Sequence, residues 1–140
     1  TELRRRPWED AVDPAGLATY LAANVEPGLP IEVAENGLCN RVRRGRSLPR
    51  PDGWDRVRYL QANLAAVAGA VQAGLPVSGY FHWTLADCYE WGSYEPRFGL
   101  HRVDRDGRVT WRGVDSMGAD AAGAYRDLIR GMQEGRPPPG

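Results

Sequence analysis

Val77-Ser78-Gly79-Tyr80-Phe81-His82-Trp83-Thr84-Leu85 is the stretch on which the fold turns. Its β-branched and aromatic residues predict a strand over 77–85. A shorter strand is predicted upstream at Ile31-Glu32-Val33-Ala34-Glu35, stopped by the turn pair Asn36-Gly37. Between the two, residues 54–73 carry Val57, Leu60, Leu64, Val67 and Val71 at spacings of three and four, one apolar helical face. Gly74 and Pro76 stop that helix. Strand, helix, strand in this order predicts two parallel strands joined by a right-handed crossover.

Working outward, Asp13-Pro14 reads as a helix start, with Leu17, Tyr20, Leu21 and Val25 at helical spacing and Pro27, Gly28 and Pro30 as the stop. Residues 38–53 read as a long loop holding Arg41, Arg43, Arg44, Arg46 and Arg50, either a solvated basic face or a surface for an anionic substrate or acidic partner. Residues 99–112 read as a hairpin turning at Asp106-Gly107. Tyr125, Leu128, Ile129 and Met132 mark a last helix. An exposed Arg-rich lead-in over 1–10 and a disordered Pro-rich tail over 135–140 complete the chain, so residues 1–134 form one domain.

The composition narrows the classes. Among 140 residues, 18 basic and 18 acidic side chains give zero net charge, and every basic one is arginine. That balance argues against nucleic acid as a partner. No apolar run approaches the roughly 18 residues of a membrane span, and no signal peptide is visible, so a cytoplasmic protein without membrane contact is expected. Two cysteines, Cys39 and Cys88, are too few for a disulfide framework or a four-ligand zinc site, and free thiols are expected. No phosphate loop, dinucleotide fingerprint or metal cluster appears, so no cofactor and no metal are expected.

Three segments carry a resemblance. Leu29-Pro30-Ile31-Glu32-Val33-Ala34-Glu35-Asn36-Gly37 is similar to the strand ending in Glu-Asn-Gly of glycoside hydrolase family 1, the retaining β-glucosidases. Gly79-Tyr80-Phe81-His82-Trp83-Thr84-Leu85-Ala86-Asp87-Cys88-Tyr89-Glu90-Trp91 resembles that family's Gly-Tyr-Phe-x-Trp-Ser-Leu-x-Asp-Asn-Phe-Glu-Trp. Arg97-Phe98-Gly99-Leu100 with Val103-Asp104 resembles its Arg-Phe-Gly-Leu-x-x-Val-Asp. The resemblance implies an α/β fold: a truncated (β/α) fragment of a TIM barrel, its last two strands with a hairpin, about a quarter of the whole. It implies Glu35 as the nucleophile, and Trp83, Glu90 and Trp91 as the sugar site, with Phe98 closing the wall. Asn36 and Asp87 fall on the same rim, at the C-terminal strand ends where such barrels hold their sites.

The pattern also departs from the family. A retaining glycosidase needs a second carboxylate about 5–5.5 Å from the nucleophile. The family takes it from an Asn-Glu-Pro motif on an early strand that has no counterpart here; Asn24-Val25-Glu26-Pro27 precedes its strand rather than ending one. Cys88 stands where the motif has Asn, and one residue is missing between Trp91 and Arg97.

Strict alternation predicts that Ile31, Val33, Val77, Gly79 and Phe81 share the lumen face with Glu35 and Trp83. Glu32, Ala34, Tyr80, His82 and Thr84 then face the helices, with Glu32 and His82 paired there. Lumen-facing Ile31, Val33, Val77 and Phe81 would be stranded on water at roughly 1.5–3 kcal/mol each, which predicts a homo-oligomer, a dimer or a tetramer.

Three functions follow as expectations. The first is a small repurposed enzyme performing hydrolysis or water addition on a small organic substrate, with Glu35 facing Glu90 or Asp87. The Arg-, Ala- and Gly-rich composition suggests a GC-rich bacterial source, where secondary-metabolite biosynthesis is a fitting task. The second is a β-glycosidase completed by oligomerisation or a partner chain, and the third is a non-catalytic ligand-binding or scaffold protein.

Overall fold

Three aspartates set the helix starts. Asp13, Asp55 and Asp120 each accept a backbone N–H three residues on, from Gly16 at 2.9 Å, Arg58 at 2.8 Å and Gly123 at 2.8 Å. They open α1 (Pro14–Ala23), α2 (Arg56–Gln72) and α3 (Ala121–Gln133). The computed structural model describes residues 10–139, without the side chain of Arg41; all but the last residue of the expected lead-in, and the final Gly140, lie outside it.

The strands are β1 (Ile31–Asn36), β2 (Arg41–Arg43), β3 (Arg46–Leu48), β4 (Val77–His82), β5 (Val103–Arg105) and β6 (Val109–Trp111). β1 and β4 pair in parallel, while β2–β3 and β5–β6 are antiparallel hairpins. The described residues thus form a small α/β fragment with parallel strands and no closed barrel. The stretch expected as a plain loop over 38–53 contains the β2–β3 hairpin. Arg44 and Gly45 take positive φ of 51° and 74°, the two-residue turn that matches strand twist, and Val42 is buried beneath it.

The largest correction concerns which way the strands face. Ile31 pairs with Val77 but Glu32 with Gly79, so β4 carries an extra residue at Ser78; Val33 pairs with Tyr80 but Asn36 with His82, so β1 carries an extra residue there. Each irregularity shifts the side-chain phase by one. As a result Ile31, Val33, Val77 and Tyr80 pack together with Leu17, Leu21, Val67 and Ala70, against the helices and away from the lumen face. Glu32 lies on the opposite face with Phe81: a Cβ on Gly79 would meet Glu32 Oε1 at 3.3 Å and the Phe81 ring at 3.2 Å. The expected Glu32–His82 pair therefore does not form. Of the four apolar residues expected on water, only Phe81 is exposed, at 54%.

A second cluster joins Leu60 of α2 to Leu100 and Ala121, flanked by Val57, Tyr125 and Leu128. α2 buries Leu60, Leu64, Val67 and Ala70, whereas Val71, expected on that face, is 48% exposed.

Candidate active site

The loops leaving β1 and β4 meet because a glycine lets them. A Cβ on Gly37 would lie 2.3 Å from the Trp83 carbonyl oxygen, so only glycine allows this approach. Glu35, Gly37, Trp83, Glu90, Trp91 and Phe98 then line one cleft of about 310 Å³. The Trp83–Thr84 peptide bond at its floor is cis.

Glu90 is the best-held carboxylate of the cleft. It is 9% exposed, and its Oε1 accepts the Trp83 indole Nε1–H at 2.9 Å and the Cys88 Sγ–H at 3.0 Å. Its backbone pairs reciprocally with Ser93, N–H to carbonyl at 2.8 Å and 2.9 Å. That tight turn puts Trp91 at φ 52° and leaves its ring 66% exposed. Glu35 is exposed at the end of β1. Phe98 is fixed from behind: His82 Nε2–H donates to its carbonyl at 3.2 Å, while His82 Nδ1 is buried without a partner. Burial pulls the His82 imidazole down to about 4, so it is neutral near pH 7.

Two expected site residues are not brought into the cleft. The Asp87 carboxylate is buried and accepts Arg97 Nη1 at 3.1 Å, Gly99 N–H at 3.1 Å and Val103 N–H at 3.3 Å. It ties the strand end to the following loop. A Cβ on Gly99 would strike the Asp87 amide nitrogen at 2.3 Å, which explains the glycine after Phe98. The Asn36 side chain turns toward the helices, where its Oδ1 accepts the Tyr80 hydroxyl at 2.7 Å. Burial pushes the nearby Tyr59 phenol up to about 12, outweighing its hydrogen bond with Asn36. A second cleft of about 210 Å³ shares Gly37, Trp91 and Phe98 and continues to Cys39, Arg50 and Tyr59. Cys39 and Cys88 are not joined in a disulfide.

Arg56 is the residue that sequence reading missed. It is fully buried, with Nη1 on Asp115 Oδ2 at 2.6 Å and Nη2 on the carbonyls of Leu38 at 3.0 Å and Arg97 at 2.7 Å. One guanidinium thus pins both loops that frame the cleft. Its signal was present: a cation in the first turn of a helix opposes the helix dipole and needs another reason to be there.

Among the described residues no group of three or more His, Cys, Asp and Glu is arranged to hold a metal ion, and no helix is long and apolar enough to cross a membrane.

Comparison with known proteins gives one consistent result. The family profile described as Glycosyl hydrolase family 1 matches residues 2–122. A wheat (Triticum aestivum) enzyme, 4-hydroxy-7-methoxy-3-oxo-3,4-dihydro-2H-1,4-benzoxazin-2-yl glucoside beta-D-glucosidase 1d, is 43% identical over 97 residues, 66% of this chain and 17% of its own length. Beta-glucosidase 3 of Oryza sativa is 34% identical over 131 residues, 91% of this chain and 25% of that one. The family 1 β-glucosidase of Thermotoga maritima superposes with a TM-score of 0.66 at 26% identity, covering 93% of this chain and 28% of the enzyme. The β-glucosidase of Exiguobacterium antarcticum gives 0.66 at 26% identity, covering 98% and 30%. The chain therefore spans between a sixth and a third of the proteins it matches.

Proposed function

Because the chain belongs to glycosyl hydrolase family 1, we propose that it carries the nucleophile side of a retaining β-glycosidase site. The supporting observation is the single cleft that gathers Glu35, Trp83, Glu90, Trp91 and Phe98. Glu35 attacks the anomeric carbon and the glycosidic C–O bond breaks, leaving a glycosyl ester on Glu35. Water then attacks the same carbon, gives up a proton to the solvent, frees the sugar and returns Glu35 as a carboxylate. Glu90 accepts sugar hydroxyls through Oε2, because Oε1 already holds two donors. Trp83 and Trp91 offer apolar faces to the sugar ring.

Departure of a poor leaving group also needs a proton donor, and neither Asp87 nor Glu90 fits that role. Asp87 accepts three hydrogen bonds away from the cleft and Glu90 is held as an acceptor, so a small self-contained hydrolase or hydratase with either of them opposite Glu35 has less support. Self-association as the way to complete the wall keeps the support of exposed Phe81 and loses that of Ile31, Val33 and Val77.

Leaving-group dependence tests this. A dinitrophenyl β-glucoside needs no proton on departure, so the chain cleaves it with retention and spares a methyl β-glucoside. Glu35→Gln lowers the first rate by at least about 10³-fold. Equal rates for Glu35→Gln and wild type remove Glu35 from the chemistry.

A further inference from the structure

We propose that Cys88 is a positioning residue: its thiol donates to Glu90 Oε1 and, with the Trp83 indole, fixes the carboxylate so that Oε2 faces the cleft. The consequence for sugar binding rests on the reading of Glu90 given above; the coupling between thiol and carboxylate does not. Cys88 Sγ lies 3.0 Å from Oε1 and Trp83 Nε1 lies 2.9 Å from the same oxygen. Two donors on one oxygen hold the carboxylate plane, which a single donor leaves free to turn. The root of the side chain is already fixed by the Glu90–Ser93 backbone pair. Cys88 does not line the cleft, so it acts only through Glu90.

The thiol suits the task because it keeps its proton. Burial, then the hydrogen bond and charge of Glu90, push Cys88 up to about 11; Asp87 adds to this and the Thr84 hydroxyl opposes it. The thiol therefore remains a donor throughout the neutral range and is a poor nucleophile. The sequence motif that this segment resembles has Asn at this position, a side chain that can also donate a hydrogen bond.

Alkylation by iodoacetamide, followed at Cys88 by peptide mass spectrometry from pH 7 to 11, reads the coupling without any substrate. Removing the charge in Glu90→Gln, which preserves side-chain shape, raises the Cys88 rate about tenfold at pH 8, the effect of one unit of thiol pKa. An unchanged rate overturns the proposal. The Trp83 indole N–H resonance gives a second reading: it shifts in Cys88→Ala and returns toward wild type in Cys88→Ser and Cys88→Asn. An indole resonance unmoved by Cys88→Ala also overturns it. If the coupling holds but no glycoside is cleaved, the assignment of Glu90 to a sugar fails and the positioning role stands.

Discussion

Trp83 and Glu90 stand seven residues apart in the chain, and the indole Nε1–H donates to the carboxylate at 2.9 Å. The bond crosses from the end of β4 to the far side of its loop, so it fixes the cleft's floor and its acceptor together. Trp83→Phe keeps an aromatic ring, though a smaller one, but leaves a buried carboxylate short of one donor. A loss of about 1–3 kcal/mol is expected, read as a lower urea midpoint with unchanged slope. An unchanged midpoint removes the bond from the stability of the loop.

Arg56 and Asp115 test the frame behind the cleft. Both are buried, and breaking such a pair leaves one charge uncompensated. Arg56→Met is expected to cost about 3–5 kcal/mol and to loosen the loops at Leu38 and Arg97, seen as faster amide exchange there. A loss below about 1 kcal/mol would place this pair with surface ion pairs.

Gly99→Ala tests the close approach after Phe98. Its Cβ would meet backbone atoms of Asp87, Ala86 and His101 at 2.3–2.6 Å, none of which is a flexible side-chain end. Overpacking against backbone costs about 1–3 kcal/mol, so a clear fall in thermal midpoint is expected. Gly113→Ala meets nothing within 4 Å and serves as the control.

His82 gives a pH signature. Its folded pKa is pulled from 6.5 down to about 4 by burial, so the unfolded chain binds the proton more readily. The contribution is full above pH 6.5 and is lost progressively as pH falls toward 4. His82 is half-buried as a residue, so the loss is about 2–3 kcal/mol. Urea midpoints at pH 7.5, 5.5 and 4.5 fall more steeply for wild type than for His82→Phe. Parallel curves would show that His82 is solvated in the folded state.

Apart from the β2–β3 hairpin, which was read as a loop, the order of elements was legible in the sequence because it rests on strong local signals: Asp caps, Gly and Pro stops, and apolar spacing over α2. The residues of the cleft were legible through motif resemblance, and two of the three motif glycines, Gly37 and Gly99, turn out to sit where a Cβ would strike backbone. The facing of the sheet was not legible. Strict alternation fails when each strand carries one extra residue, and nothing in Ser78 or Ala34-Glu35 announces an irregularity. Asp87 and Asn36 were assigned to the rim by position alone; the partners that turn them away, Arg97 and Tyr80, lie 10 and 44 residues distant. Arg56 was overlooked because its partner is 59 residues downstream.

The central claim is that Glu35 is the nucleophile, and covalent trapping tests it most directly. A 2-deoxy-2-fluoro-β-glucosyl fluoride carries a leaving group that departs without an acid, and its 2-fluorine slows hydrolysis of the ester that forms. Incubation followed by peptide mass spectrometry is expected to find one 2-fluoroglucosyl group on Glu35, absent in Glu35→Gln. An adduct on another carboxylate, or no adduct under conditions where the sugar binds the cleft, contradicts the account.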